Sequence, residues 1–214
     1  MSTNAAPPPD VRKGCAFPYQ TSSLSSARLR LAGAGEGARV PSMKNRRIVI
    51  VGFMGCGKTT VAKSLAVRLE CGMLDLDAII SAQQNMSIPE LIRERGESAF
   101  REAETSALQV VLDRLQPRII ALGGGAWTLE GNRDLISKHE CVTVFLDAPY
   151  DLCWQRITDH PVPRPLALDE PSAEKLYRER HPQYALANIR VEVTDRMSAD
   201  ELAAQIAEEI KRRG

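Results

Sequence analysis

This 214-residue chain lacks any sign of a disulfide or zinc framework. Its five cysteines, Cys15, Cys56, Cys71, Cys141 and Cys153, are odd in number and include no C-x-x-C pair. That argues for a reducing compartment. Long apolar runs are missing too, none reaching the roughly 18 residues that suggest a membrane span. Net charge is nearly absent, at +1 from 28 basic and 27 acidic residues. Composition therefore gives no argument for nucleic acid or an anionic membrane as partner. No nucleic-acid motif and no internal repeat is visible. What is there is a 43% hydrophobic chain near the size of one domain, long enough for a single core.

Two regions separate by composition. Residues 1–43 hold the runs APPPD, TSSLSS and LAGAGEGA, five basic residues and two acidic ones, with no helical or strand period. The segment reads as a disordered or non-native extension. Met43 is followed at once by KNRRIVIVG, so an upstream start is one reading; a Ser-rich, acid-poor transit peptide is another. The chain is placed in the cytoplasm, or in a plastid if that segment is a transit peptide. Residues 44–214 read as one folded domain.

Within that domain, strands alternate with helices. Short apolar runs at 47–51, 71–76, 118–122, 142–146 and 191–193 read as strands. Helical spacing marks 58–70, 77–114 with breaks near 85–89 and Gly96, 129–137, 150–158, 172–189 and 198–211. This order predicts a three-layer α/β/α fold around a central five-stranded parallel sheet, with ligands at the carboxyl ends of the strands.

The stretch VGFMGCGKTT fits G-x-x-x-x-G-K-[ST], with Gly52, Gly57, Lys58 and Thr59 at the fixed places. A strand precedes it and a helix follows. Its glycines let backbone N–H groups turn inward at a helix N-terminus and hold phosphate. Lys58 supplies charge for the outer phosphates, and Thr59 offers a hydroxyl to phosphate-bound Mg²⁺.

A GTPase would show N-K-x-D for guanine, and none occurs. A motor ATPase would show a strand ending in an acidic residue. VTVFLD, 142–147, imitates one, but reads better as a plain strand end before Pro149. Asp75 and Asp77 in LDLD close the second strand at its carboxyl edge. Strand alternation puts both on one side, one for Mg²⁺ through water and one for an attacking hydroxyl. The alternative is that Asp77 caps the next helix.

Further along come GESAFREAE with Arg101, then Gly123-Gly124-Gly125, where missing side chains permit close backbone approach to a ligand. HPVPRPLA carries Arg164 at the centre of a stiff lid, and RERHPQY carries Arg178 and Arg180. Several arginines near a phosphate site suggest recognition of a further anion. A lid that must exclude water implies open placement of residues 159–171 without ligands. His139, His160 and His181 are given no catalytic role, and Trp127 and Trp154 are read as packing.

The set GFMGCGKTT, LDLD, GESAFREAE, ALGGGA, RPLA and RERHPQYALA, in this order over residues 47–196, resembles the shikimate kinase family. The resemblance implies a single-domain P-loop kinase that moves the γ-phosphate of ATP to the 3-hydroxyl of shikimate. It implies that Gly55, Cys56, Gly57, Lys58, Thr59 and Thr60 cradle ATP, with Thr59 on Mg²⁺. Asp75 would support the metal's water shell, and Asp77 would orient the nucleophile. Arg101 and Arg180 would clamp the shikimate carboxylate, and Gly124 would offer backbone to a ring hydroxyl. Arg164 would stabilise the transferring charge, with Arg156 and Arg196 near the adenine. The reading is a monomer with ATP and shikimate as its partners.

The chain departs from the family pattern at Cys56, at Ile92 and at RPLA in the lid. Two other functions stay open. One is a kinase for another small polyol acid such as gluconate. The other is a metabolite-sensing module without transfer chemistry.

Overall fold

The computed structural model describes residues 46–159 and 169–213. The N-terminal extension, most of the expected lid and Arg164 lie outside the described residues.

The chain alternates as expected. β1 (Ile48–Val51) leads to α1 (Lys58–Arg68), then β2 (Met73–Asp75), α2 (Leu76–Gln84) and α3 (Ile88–Val110). β3 (Ile119–Ala121), α4 (Glu130–Lys138), β4 (Val142–Asp147) and α5 (Tyr150–Asp159) follow. α6 (Glu170–Tyr184), β5 (Ile189–Glu192) and α7 (Ala199–Arg213) complete the fold. The five strands form one sheet in the order β2-β3-β1-β4-β5, every pairing parallel.

Successive strand residues point to opposite faces. All four residues of β1 and all six of β4 are buried, so helices cover both faces of the sheet. The β-branched run IVIV suits such a strand, since its side chains pack well on a pleated surface. β1 is central; the chain first builds toward β2 and β3, then crosses to β4 and β5. The loop after β1 therefore lies at the point where the order reverses, where ligands collect in open sheets.

Local chemistry sets the helix ends. Ser87 and Glu90 form a reciprocal capping box at the start of α3, with a proline in its first turn. Gly96 (φ 82°, ψ 168°) interrupts α3, a conformation that glycine alone adopts readily. The break sits where the sequence placed it.

Two boundaries differ from expectation. The second strand ends at Asp75, not Leu76, and α2 begins at once. Asp75 is the N-cap: its Oδ1 accepts the Asp77 N–H at 3.0 Å. Cap geometry, not strand alternation, thus links the two residues, and Asp77 lies in the first turn instead of capping it. The helix expected over 172–189 stops at Tyr184. Asn188 explains the early end. Its Oδ1 accepts the Thr143 backbone N–H at 2.9 Å and its own N–H reaches Thr143 Oγ1 at 2.9 Å. That clasp draws the chain onto β4, so Ile189 pairs with Val144.

Candidate active site

The residues of the glycine loop, Asp75, Asp77, Gly124 and Arg156 line a cavity of about 580 Å³ at the carboxyl end of the sheet. α1 starts directly from the loop. Gly57 precedes it in the left-handed region at φ 99°, and no side chain caps the helix. Its first N–H groups are therefore left for a ligand, in the arrangement that binds phosphate.

The loop's side chains already have places. Lys58 Nζ donates to the Phe53 carbonyl at 2.8 Å and lies 3.9 Å from Cys56 Sγ. Cys56 is buried and turns its thiol away from solvent. Thr59 Oγ1 donates to Asp75 Oδ2 at 2.6 Å. Thr60 is exposed at the cavity wall. Beneath the loop, a methyl at Gly55 would come within 2.5 Å of the Cys153 carbonyl, so α5 packs directly on loop backbone. Arg156 on α5 donates to the Gly55 and Cys56 carbonyls at 3.4 Å each. It braces the loop from one side while lining the cavity.

The triple glycine proves to serve the protein's own side chains. A methyl at Gly123 would lie 2.6 Å from Asp77 Oδ1 and 2.9 Å from Glu104 Oε1. A methyl at Gly125 would collide with the Arg101 guanidinium. Arg101 pairs with Glu104 at 2.7 Å and Glu97 at 3.0 Å, and sits over the Phe100 ring at 4.9 Å. Arg180 is buried, its guanidinium 3.8 Å from where a Gly124 methyl would stand. The Gly124 carbonyl accepts from Tyr184 Oη at 2.5 Å. Two guanidinium groups, one carboxylate (Asp77) and the Gly124 backbone thus converge beside the phosphate cavity. The arrangement suits a small ligand bearing both a carboxylate and hydroxyls.

Glu104 was passed over in the sequence. It is fully buried, and its Oε1 has no hydrogen-bond partner among the described residues. Burial pushes its carboxyl above the ordinary range, against the opposing pull of Arg101. Burial opposes the Arg101 charge, but Glu104 and Glu97 outweigh it and hold the guanidinium pKa above its usual value. The only signal for Glu104 was its position three residues after Arg101 on a helix. Met197, Ala199 and Leu202 also line the cavity, with no signal in the sequence beyond ordinary apolar spacing.

Other sequence candidates land elsewhere. Arg196 is exposed between β5 and α7, beside Met197. Asp147, the residue that imitated a motor's acidic strand end, has both oxygens engaged, one by His181 at 2.9 Å and one by Arg190 at 2.5 Å. Trp127 is buried and donates to the Gln183 carbonyl, whereas Trp154 stacks on Tyr150 with ring centroids 6.4 Å apart.

The donors near the loop fit Mg²⁺. Thr59 and Asp75 offer hard oxygen atoms within one bond of each other. Among the described residues, no cluster of three or more His, Cys, Asp or Glu could hold a metal by itself. No helix among the described residues is long and apolar enough to cross a membrane.

The family model described as shikimate kinase matches residues 54–211. A shikimate kinase of Bacillus pumilus (strain SAFR-032) is 38% identical over 173 residues, covering 79% of this chain and 91% of that protein. The shikimate kinase of Bacillus subtilis (strain 168) is 34% identical over 177 residues, covering 81% and 93%. The crystal structure of a shikimate kinase from Acinetobacter baumannii in complex with shikimate superposes with a TM-score of 0.70 at 32% identity, covering 78% of this chain and 93% of that one.

Proposed function

The chain belongs to the shikimate kinase family, and we propose that it transfers the γ-phosphate of ATP to the 3-hydroxyl of shikimate by the following division of labour. The glycine loop, Gly55 to Thr60, cradles the phosphates through backbone N–H groups, and Lys58 neutralises the charge that develops as the phosphoryl group moves. Asp77 accepts a hydrogen bond from the attacking hydroxyl and aims it. A carboxylate is a weak base, but positioning counts for more than deprotonation in this loose transition state. Arg101 and Arg180 hold the ring carboxylate, which fixes which hydroxyl faces the phosphate. Gly124 offers backbone to a ring hydroxyl.

Thr59 and Asp75 would hold Mg²⁺, directly and through water. Held there, Mg²⁺ would supply positive charge to offset that of the phosphates. Arg164 is assigned the closing charge on its motif, and Arg156 and Arg196 the nucleotide's base side. The reading keeps a monomer working in the cytoplasm.

The observation that carries the reading is the convergence of Asp77, Arg101, Arg180 and Gly124 beside the Lys58–Thr59 loop. The test is ADP release with Mg·ATP and shikimate, gluconate or no acceptor. Release that requires shikimate is expected. Release with gluconate alone would keep a kinase but replace the acceptor, and release without acceptor would mean an ATPase. Tight shikimate binding with no release would favour a sensor.

A further inference from the structure

Helix α6 carries Arg180 next to a weak place. Pro182 lies inside the helix, so the N–H that would bond the carbonyl one turn back is missing. A segment short of a helical bond takes its direction from its packing. Tyr177, His181 and Tyr184 follow one another at intervals of four and three residues, a helical spacing, and His181 stands next to Arg180 in the chain. Each is tied down. Tyr177 Oη donates to the Ala148 carbonyl at 3.0 Å, and Tyr184 Oη to the Gly124 carbonyl. His181 Nε2–H donates to Asp147 Oδ1 at 2.9 Å.

The third tie differs in kind. It ends on a side chain, and that side chain is itself oriented: Arg190 Nε donates to Asp147 Oδ2 at 2.6 Å. Asp147 is buried at the carboxyl end of β4. The His181 ring packs edge-on against Phe145, with centroids 5.5 Å apart, and tilted against Tyr177 at 5.3 Å. An imidazole so held has no freedom to swing. The residue before it in sequence is Arg180.

We propose that His181, held by Asp147 and Arg190, is a positioning residue that aims Arg180 at the acceptor's carboxylate, in place of the helical bond that Pro182 removes. The inference rests on the reading of Arg180 as a carboxylate clamp. His181 touches no reacting atom in this scheme. Its loss changes acceptor affinity and leaves the nucleotide side alone, because the phosphate loop is braced by α5.

Steady-state kinetics on the full chain test this, with parent, His181→Ala, His181→Gln and Arg180→Ala measured beside their melting temperatures. His181→Ala should raise the KM for shikimate about tenfold, the worth of one charge-assisted hydrogen bond. The KM for ATP should stay within about twofold. His181→Gln, whose amide N–H can reach Asp147, should recover most of the loss. Adding His181→Ala to Arg180→Ala should raise the KM no further, since the two act as a unit. A KM for shikimate unchanged in His181→Ala but raised in Arg180→Ala would overturn the positioning role alone. Parallel rises in both KM values with a lower melting temperature, and no recovery by Gln, would make the contact merely structural and overturn it too. An unchanged KM in Arg180→Ala would sink the clamp and the inference together.

Discussion

The two halves of the site are built from different material. The phosphate half is backbone from one continuous stretch, Gly55 to Thr60, braced by Arg156 on the carbonyls of Gly55 and Cys56. The acceptor half is side chains from distant segments: Asp77 on α2, Arg101 on α3, Arg180 on α6, gathered around the triple glycine. Backbone amides keep their direction whatever side chain they carry, so the first half tolerates Cys56. Guanidinium and carboxylate groups keep theirs only while other groups hold them. On the proposed reading, the second half therefore leans on supporting residues such as Glu104 and His181.

Four substitutions probe that contrast, from the largest effect down. Asp77→Asn removes the group proposed to aim the hydroxyl; turnover with shikimate should fall roughly 100- to 10,000-fold, while circular dichroism and ATP binding match the parent. Parent-like turnover would remove Asp77 from the chemistry. Gly125→Ala comes next. Gly125 has φ −100° and ψ −19°, which alanine adopts freely, so its methyl acts only by striking Arg101. The KM for shikimate should rise about 30-fold, within the range for overpacking a tight site, with the KM for ATP little changed.

Glu104→Gln sharpens the comparison. It should raise the KM for shikimate about tenfold by loosening Arg101. Its effect on stability runs the other way. Because burial lifts the Glu104 carboxyl above its ordinary value, the folded chain holds this proton more tightly than the unfolded one. The stabilisation that goes with the proton is complete below about pH 4.5, the ordinary value. It disappears as pH rises through the folded value. Thermal melts of parent and Glu104→Gln should coincide near the acid end of that window. Above it the glutamine variant should be as stable or a few degrees more so. A variant that melts lower at every pH would show that the ion pair stabilises the fold outright. The smallest effect belongs to the phosphate half: Cys56→Ser should leave the turnover and the KM for ATP within about twofold, because backbone N–H groups make that site. A large loss there would erase the distinction between the halves.

The same difference decides how much the sequence could say. The glycine loop's place between β1 and α1 was legible, because one local stretch carries the whole motif. The alternation of strands and helices gave the parallel sheet, and Gly96 marked the break in α3. Asp75 and Asp77 were legible as a pair, but the cap that joins them was not, since strand and helix meet there without a loop. By their own chemistry Arg101 and Arg180 showed only as arginines near an anion site, and the resemblance alone paired them; their convergence needed the sheet to bring α3 and α6 together. Glu104 was hidden because a carboxylate on a charged helix looks like solvated surface until its burial is known. Ile189 was misplaced because the helix pattern ran on, and the clasp between Asn188 and Thr143 spans 45 residues.

Lys58 has a consequence for turnover. Its ammonium group rests on the Phe53 carbonyl of its own loop. An arriving phosphate therefore exchanges one partner for another instead of gaining a bond outright, and binding releases only the difference. The loop thus holds its own lysine by a backbone carbonyl five residues back in the chain, and anything that takes the ammonium group must outbid that contact.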